Sequence, residues 1–238
     1  MANRKDEFEL YWAETGKASF LMNFLKRGDV LAVDIDEPGS VVKAELDVSD
    51  LNSFPVKGML YQTGYLTISK FENDLFTLGI PDEEVRQDLS ALMSGLVADK
   101  DVRWAASIGV TLRLAQWDRF FEGLEALYAG AVYGTTEGKV HELSYARCLK
   151  FLLQGQGFRV EQEVSHAGGR TDIVADHPCG TYIFELKVDK PAKLAMSQIQ
   201  RKKYAAPYRA AGKPVWAVAL SFKSRGRKFA GGRAVPVK

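Results

Sequence analysis

Asp172, Glu185 and Lys187 stand in an Asp-x12-Glu-x-Lys arrangement inside the segment GGRTDIVADHPCGTYIFELKVDK. The end of that segment alternates as a strand does, so Tyr182, Phe184, Leu186 and Val188 line one face while Ile183, Glu185, Lys187 and Asp189 line the other. Glu185 and Lys187 therefore point the same way. His177, Pro178, Cys179 and Gly180 supply a turn before this strand, which folds the preceding strand back as a hairpin and allows Asp172 to lie across from Glu185. Two carboxylates beside one lysine suit a hard divalent cation, because Mg2+ takes one or two carboxylates and completes its shell with water and phosphate oxygens. Such a site activates water and neutralises charge on a phosphate, with Lys187 orienting that water or stabilising the developing oxyanion.

Glu-x-Lys on an exposed strand face is ordinarily solubilising charge, and three features weigh against that reading. The strand carrying the pair is otherwise apolar, as central strands are. Gly168, Gly169 and Arg170 precede Asp172 and predict a turn where backbone can approach a ligand. Glu142 heads a stripe continued by Ala146, Leu149 and Leu153, at offsets of 4, 7 and 11, so it faces inward, where a carboxylate needs a partner.

Charge is partitioned along the chain. Of the 32 Lys and Arg, 13 lie in residues 190–238, which contain no Asp or Glu; residues 1–189 keep 19 against all 30 acids. A single-sign block of this kind marks a surface for a polyanion. Its last part, SFKSRGRKFAGGRAVPVK, is expected to be too polar and flexible for a packed element, with Arg225, Arg227, Lys228 and Arg233 meeting phosphates.

The elements that must hold these residues follow from pattern. Phe20, Leu21, Phe24 and Leu25 predict a helix over about 17–27, and residues 40–60 read as extended or turning segments. YLTISKFENDLFTLGI predicts a hairpin turning at Glu72, Asn73 and Asp74. Pro81 with Asp82, Glu83 and Glu84 opens helices that run to about residue 130, the last with Trp117, Phe120, Phe121, Leu124 and Leu127 as a core stripe. AVYGTTEGK is a candidate linker, dividing a mainly helical accessory region, 1–134, from 135–238. Beyond it the order is helix 140–154, strands 158–165, 171–176 and 181–188, helix 191–210 and strand 214–221.

This αβββαβ order, with Asp172, Glu185 and Lys187, resembles the PD-(D/E)XK nuclease superfamily, an α/β, restriction-endonuclease-like fold with a central mixed sheet. More narrowly, Glu142, Gly169-Arg170-x-Asp172, Tyr182-x-Phe184-Glu185-x-Lys187, Gln198-Ile199 and Lys202-x-Tyr204 resemble the nuclease domain that follows an AAA-ATPase-like domain in a large prokaryotic family. FELYWAETGKASFLMNFLK and LYQTGYLTI look like the segments linking the two. The resemblance implies Asp172 and Glu185 as ligands of Mg2+ or Mn2+, Lys187 as the catalytic lysine, Glu142 as an accessory carboxylate and Gln198 as an active-site residue, with Arg170 and Lys202 on the nucleic acid. Gln200 competes with Gln198 for its role and pairs with Tyr204 at i, i+4. Glu163 precedes the Gly-Arg turn as in that family, and Thr171 stands where the superfamily's name has proline. No GxxxxGK[ST] exists, so the chain looks like the C-terminal half of that family without its ATPase core.

Bulk properties bound the rest. With 238 residues the chain makes one medium domain or two small ones, and 46% hydrophobic with 26% charged residues excludes disorder and collagen. No 18-residue apolar run and no secretory h-region occur, and the two cysteines form neither CxxC nor a zinc spacing, so a cytoplasmic protein with no membrane partner is expected. Two functions compete: a metal-dependent nuclease acting on DNA, or a non-catalytic module that binds nucleic acid or docks a separate ATPase chain.

Overall fold

The structure, a computed structural model, describes residues 21, 25, 34–47, 55–100, 102–130, 142–166, 169–226 and 228–237, and for 130, 142–144, 166, 210 and 211 it describes the backbone alone. The chain forms two compact units, residues 1–88 and 89–238.

In the first unit a three-stranded antiparallel sheet, ordered β1-β3-β2, is built from β1 (Ser40–Val41), β2 (Thr67–Glu72) and β3 (Leu75–Gly79). Asn73 and Asp74 join β2 to β3 at φ of 51° and 60°, the left-handed pair a tight hairpin turn requires. The expected extended run over 40–60 is corrected: α1 (Lys43–Leu46) and α2 (Val56–Gln62) occupy part of it. Pro55 is preset for a helix start, and burial of Met59 and Leu60 overrides the weak helix propensity of Val56 and Gly58. Most of the helix expected over 17–27 lies outside the described residues; Leu21 and Leu25 are helical and buried. Asp82 Oδ1 accepts the Val85 N–H at 2.9 Å and so caps α3 (Glu83–Ala98).

The second unit holds the rest of α3, α4 (Val102–Arg113), α5 (Trp117–Gly130) and α6 (Glu142–Gln154). Its mixed sheet runs β4-β5-β6-β7-β8, from β4 (Arg159–His166), β5 (Gly169–His177), β6 (Gly180–Val188), β7 (Val215–Lys223) and β8 (Lys228–Pro236). β6 and β7 are parallel and the other pairs antiparallel. The crossover between the parallel pair carries α7 (Ala192–Lys202) and a 3-10 helix, Ala206–Ala211.

The two sheet faces are covered differently. On one, Phe120 and Trp117 of α5 meet Phe184 and Tyr182 at ring distances of 6.4 and 6.3 Å, and Tyr145 of α6 stacks 4.3 Å from Phe222. The predicted aromatic stripe is thus core. On the other face, α7 packs Ala195, Met196 and Ile199 over Ile183, Ala217 and Ala219. This is the face that carries Glu185 and Lys187, two and four residues after Ile183.

Two expectations about this unit are corrected. The single helix over 191–210 breaks at Lys203, which takes φ 53°, and Pro207, which lacks an N–H for the α ladder, lies in the first turn of the 3-10 helix. The basic C-terminal segment is not a loose tail either: β8 pairs with β7 from Lys223↔Lys228 to Trp216↔Pro236. Gly232 sits there because Phe121 does, since a Cβ at residue 232 would lie 2.5 Å from the Phe121 ring. The expected boundary near residue 134 falls in 131–141, outside the described residues. Helix, three strands, helix and strand follow in the expected order, extended by β8, and this mixed α/β sheet is that of a restriction-endonuclease-like fold.

Candidate active site

Sheet register assembles the site. β5 and β6 pair through Ile173↔Phe184, so one step further Asp172 stands opposite Glu185, as the hairpin argument expects. Asp172 Oδ2 accepts the Leu186 backbone N–H at 2.7 Å, which ties the carboxylate to the neighbouring strand. Lys187 Nζ lies 2.8 Å from Glu185 Oε1, with the Glu185 side chain 1% exposed and that of Lys187 19%. Asp172, Glu185 and Lys187 are therefore brought together on one face, partly screened from water by the sheet itself.

Electrostatics there favour a cation. Burial pushes the Asp172 carboxyl above its ordinary range, opposed by the Leu186 N–H, Lys187 and Arg170 and reinforced by Glu163. A carboxylate held against its own desolvation gains from a nearby positive charge, and two carboxylate oxygen donors from adjacent strands are the donor chemistry of Mg2+ or Mn2+. The residues present fit such an ion. Among the described residues no group of three His, Cys, Asp or Glu side chains converges, so the fit rests on this pair.

The register also shows a residue whose position the linear reading left undefined. β4 pairs with β5 through Gln162↔Ile173 and Val164↔Thr171, which sets Glu163 opposite Asp172. Across β6, Glu185 pairs with Ala219 and Ala219 with Arg233. Glu163, Asp172, Glu185, Ala219 and Arg233 thus occupy one row across five strands spaced about 4.8 Å apart. Glu163 takes φ 52°, and its carboxylate holds Arg170 at 3.3 Å, so that arginine is paired rather than idle. No sound sequence signal marks this placement, because Gly169 and Arg170, which read as a turn, lie within β5.

The other expected site residues divide. Gln198, half-buried on α7, donates from Nε2 to Tyr204 Oη at 3.4 Å; the expected Gln200 to Tyr204 pairing is corrected, since Gln200 turns to the opposite side of α7. A Cβ at Gly169, φ 137°, would lie 3.0 Å from Tyr204 Oη and 3.8 Å from Lys202 Nζ. The turn expected at Gly169 and Arg170 is corrected, since both belong to β5, and what the Gly169 backbone approaches is the tyrosine after α7. Glu142 opens α6, whose Ala146, Leu149 and Leu153 are buried as the stripe requires, but its side chain lies outside the described residues. Lys202, Arg225, Lys228 and Arg233 are exposed; Arg227 and Gly168 fall outside the described residues. Among the described residues no helix is long and apolar enough to cross a membrane.

No solved structure matches the chain. Over 248 residues it is 27% identical to an uncharacterized protein in the vnfD 5′ region of Azotobacter chroococcum mcd 1, an overlap that takes in 96% of this chain and 46% of that protein. The chain thus spans about half the length of the curated relative it matches. Residues 140–230, from the start of α6 into β8, match the family model of the PD-(D/E)XK nuclease superfamily, and Asp172, Glu185 and Lys187 all fall within that match.

Proposed function

We propose that the chain is a divalent-metal-dependent nuclease that hydrolyses phosphodiester bonds, with DNA as substrate. One observation carries the reading: Asp172 and Glu185 face each other across β5 and β6 with the Lys187 ammonium 2.8 Å from Glu185, inside the stretch similar to a nuclease superfamily. In this reading Asp172 and Glu185 hold Mg2+ or Mn2+, which supplies charge neutralisation at the phosphate and a more acidic water. Asp172 offers its Oδ1 while the Leu186 N–H fixes Oδ2. Lys187, oriented by Glu185, hydrogen-bonds the attacking water or a non-bridging oxygen, where its positive charge matters most as charge develops. Water's oxygen bonds to phosphorus as the ester P–O bond breaks, and the leaving oxygen takes a proton. Gln198 and Glu142 act as accessory groups, and Arg170, Lys202, Arg225, Arg227, Lys228 and Arg233 as phosphate contacts. Residues 135–238 carry the nuclease motif and 1–134 the accessory region, in line with a resemblance to the part that follows an AAA-ATPase-like core.

The test is cleavage of supercoiled plasmid and of a labelled RNA with Mg2+, Mn2+ or EDTA, comparing wild type with Asp172→Ala. Nicking or linearisation that needs metal and falls at least 100-fold in the variant supports the assignment. Binding without cleavage by wild type under every metal condition instead supports the non-catalytic module, with a separate ATPase chain as its partner.

A further inference from the structure

On the same sheet face as Glu185 and Lys187, but on the opposite side of α7 from Gln198, the structure holds a cavity of about 380 Å³. Its apolar walls come from Ile199 of α7 and Val235 and Pro236 of β8; Gln200, Lys203 and Arg209 supply its polar groups. The volume is within the roughly 300–1,000 Å³ of small-molecule sites. Every lining residue belongs to the stretch 190–238 that contains 13 Lys and Arg and no acid, so the cavity carries cations on its own walls and no carboxylate. Glu161 and Asp176, the acids that act on Tyr208 of the same crossover, are paired with Arg159 at 3.1 Å and Lys213 at 2.7 Å. The site is built to receive an anion with an apolar body.

The polar groups narrow the class. Lys203 stands at the turn that ends α7, where its backbone takes φ 53° and its N–H bonds to Gln200 O, and both residues line the cavity. An amide carries both donors and acceptors, which a fatty acid would leave unused and a nucleobase edge would engage. The Arg209 guanidinium can clamp a phosphate with two parallel hydrogen bonds or stack on an aromatic ring. We infer that this cavity is a nucleotide-binding subsite, taking a base against Ile199, Val235 and Pro236 and its phosphate on Lys203 and Arg209. Along β8, Arg233 lies two residues before Val235 in the row that contains Glu185, so a strand crossing that row would lead its next nucleotides toward the cavity. The inference rests on the nuclease reading for that path, though not for the binding itself.

The experiment titrates the full chain with deoxyadenosine monophosphate, deoxyadenosine, inorganic phosphate and a 5′-phosphorylated tetradeoxynucleotide, following binding by calorimetry. Variants are Arg209→Ala and Gln200→Ala, both at exposed positions, and Asp172→Asn as a control at the other site. Expected is saturable binding of the mononucleotide or the tetranucleotide, at least 10-fold tighter than either deoxyadenosine or phosphate. Arg209→Ala should weaken it at least 10-fold, Gln200→Ala less, and Asp172→Asn should leave the mononucleotide, too short to reach that row, unaffected. Whichever probe binds tells a free nucleotide from a strand end. If neither binds, or if Arg209→Ala changes nothing, the subsite is overturned even when plasmid cleavage proceeds. If the subsite binds as stated while wild type cleaves nothing, the nuclease reading fails and the subsite stands.

Discussion

Asp172 links the chemistry to stability. Its folded carboxyl is raised above the ordinary 3.8 chiefly by burial, so protonation stabilises the fold: that contribution is full below the unfolded value and is lost as pH rises through the folded one. At neutral pH the metal-free protein bears the cost of a buried charge. Asp172→Asn keeps an oxygen for the Leu186 N–H and removes that charge, so without metal it should melt above wild type at pH 7 and level with it near pH 3. Added Mg2+ should raise the wild-type melting temperature and leave the variant unmoved; a wild type indifferent to Mg2+ and Mn2+ would remove Asp172 from the ligand set. Lys187→Arg keeps a charge but not a compact ammonium, so cleavage should fall on the order of 10²–10³-fold while DNA and metal binding persist. Full activity would reduce Lys187 to a strand cation. Thr171, next to the site, is fully buried and its Oγ1 meets no hydrogen-bond partner among the described residues. Thr171→Val preserves β-branching and removes that hydroxyl, and should stabilise by about 1 kcal/mol, seen as a melting point ~2–4 °C higher.

At the scale of elements, β8 changes what the basic C-terminal segment does. Composition read Gly231, Gly232 and the cations around them as a solvated tail, because glycine is equally the residue of flexible chain and of close approach, and only the partner decides. Here Phe121 of α5 is the partner, stacked 6.1 Å from Phe229 and pressed against Gly232. No local pattern around residue 232 carries that fact. The end of α7 was illegible for a similar reason, since Lys203 in the left-handed region has no glycine to announce it. Helix α5 was legible because its period of 3.6 marks a buried stripe, and β6 because its apolar run is that of a central strand buried on both faces. Asp172 opposite Glu185 was legible because one turn fixes hairpin register; Glu163 was not, because Gly169 and Arg170, read as part of a turn, already belong to β5, so counting back from them misplaces the register. With β8 a strand, removing residues 223–238 would strip an edge from the sheet and lower stability, so its cations must be tested in place. Arg225→Ala, Lys228→Ala and Arg233→Ala together should leave the melting point within a few degrees. On duplex DNA they should flatten the slope of log affinity against log salt by about 0.9 for each phosphate no longer neutralised. Superimposable salt titrations would show that these exposed cations meet no phosphate.

At the scale of the molecule, the stretch that matches a nuclease superfamily and the stretch that folds are different lengths. The match begins at residue 140, yet the compact unit that contains it begins at residue 89. Helices before residue 134 share one face of the sheet with α6, and α5 lies over Tyr182 and Phe184 there. Tyr182 donates its hydroxyl to Leu112 O at 3.3 Å, Arg113 reaches Gln156 O at 3.2 Å, and a Cβ on Gly155 would lie 2.6 Å from the Ala91 backbone. Without them Tyr182 and Phe184 would lose the cover of Trp117 and Phe120, and Phe222 that of Tyr128, at about 1.5–3 kcal/mol for each large side chain fully exposed and less for Phe222, which keeps Tyr145. Two such losses and part of a third approach the lower end of the ~5–15 kcal/mol that holds a typical domain together. A fragment of residues 135–238 should therefore fail to fold, giving no cooperative melt and an exposed-aromatic fluorescence, although it carries the entire Asp172, Glu185 and Lys187 motif. A fragment of residues 81–238 keeps the Asp82 cap and α3 whole as well as α4 and α5. It should melt cooperatively and retain the metal response of the full chain. A cooperative melt from 135–238 would mean that the sheet stands without its helical cover, and that α4 and α5 belong to the accessory region in stability as well as in sequence.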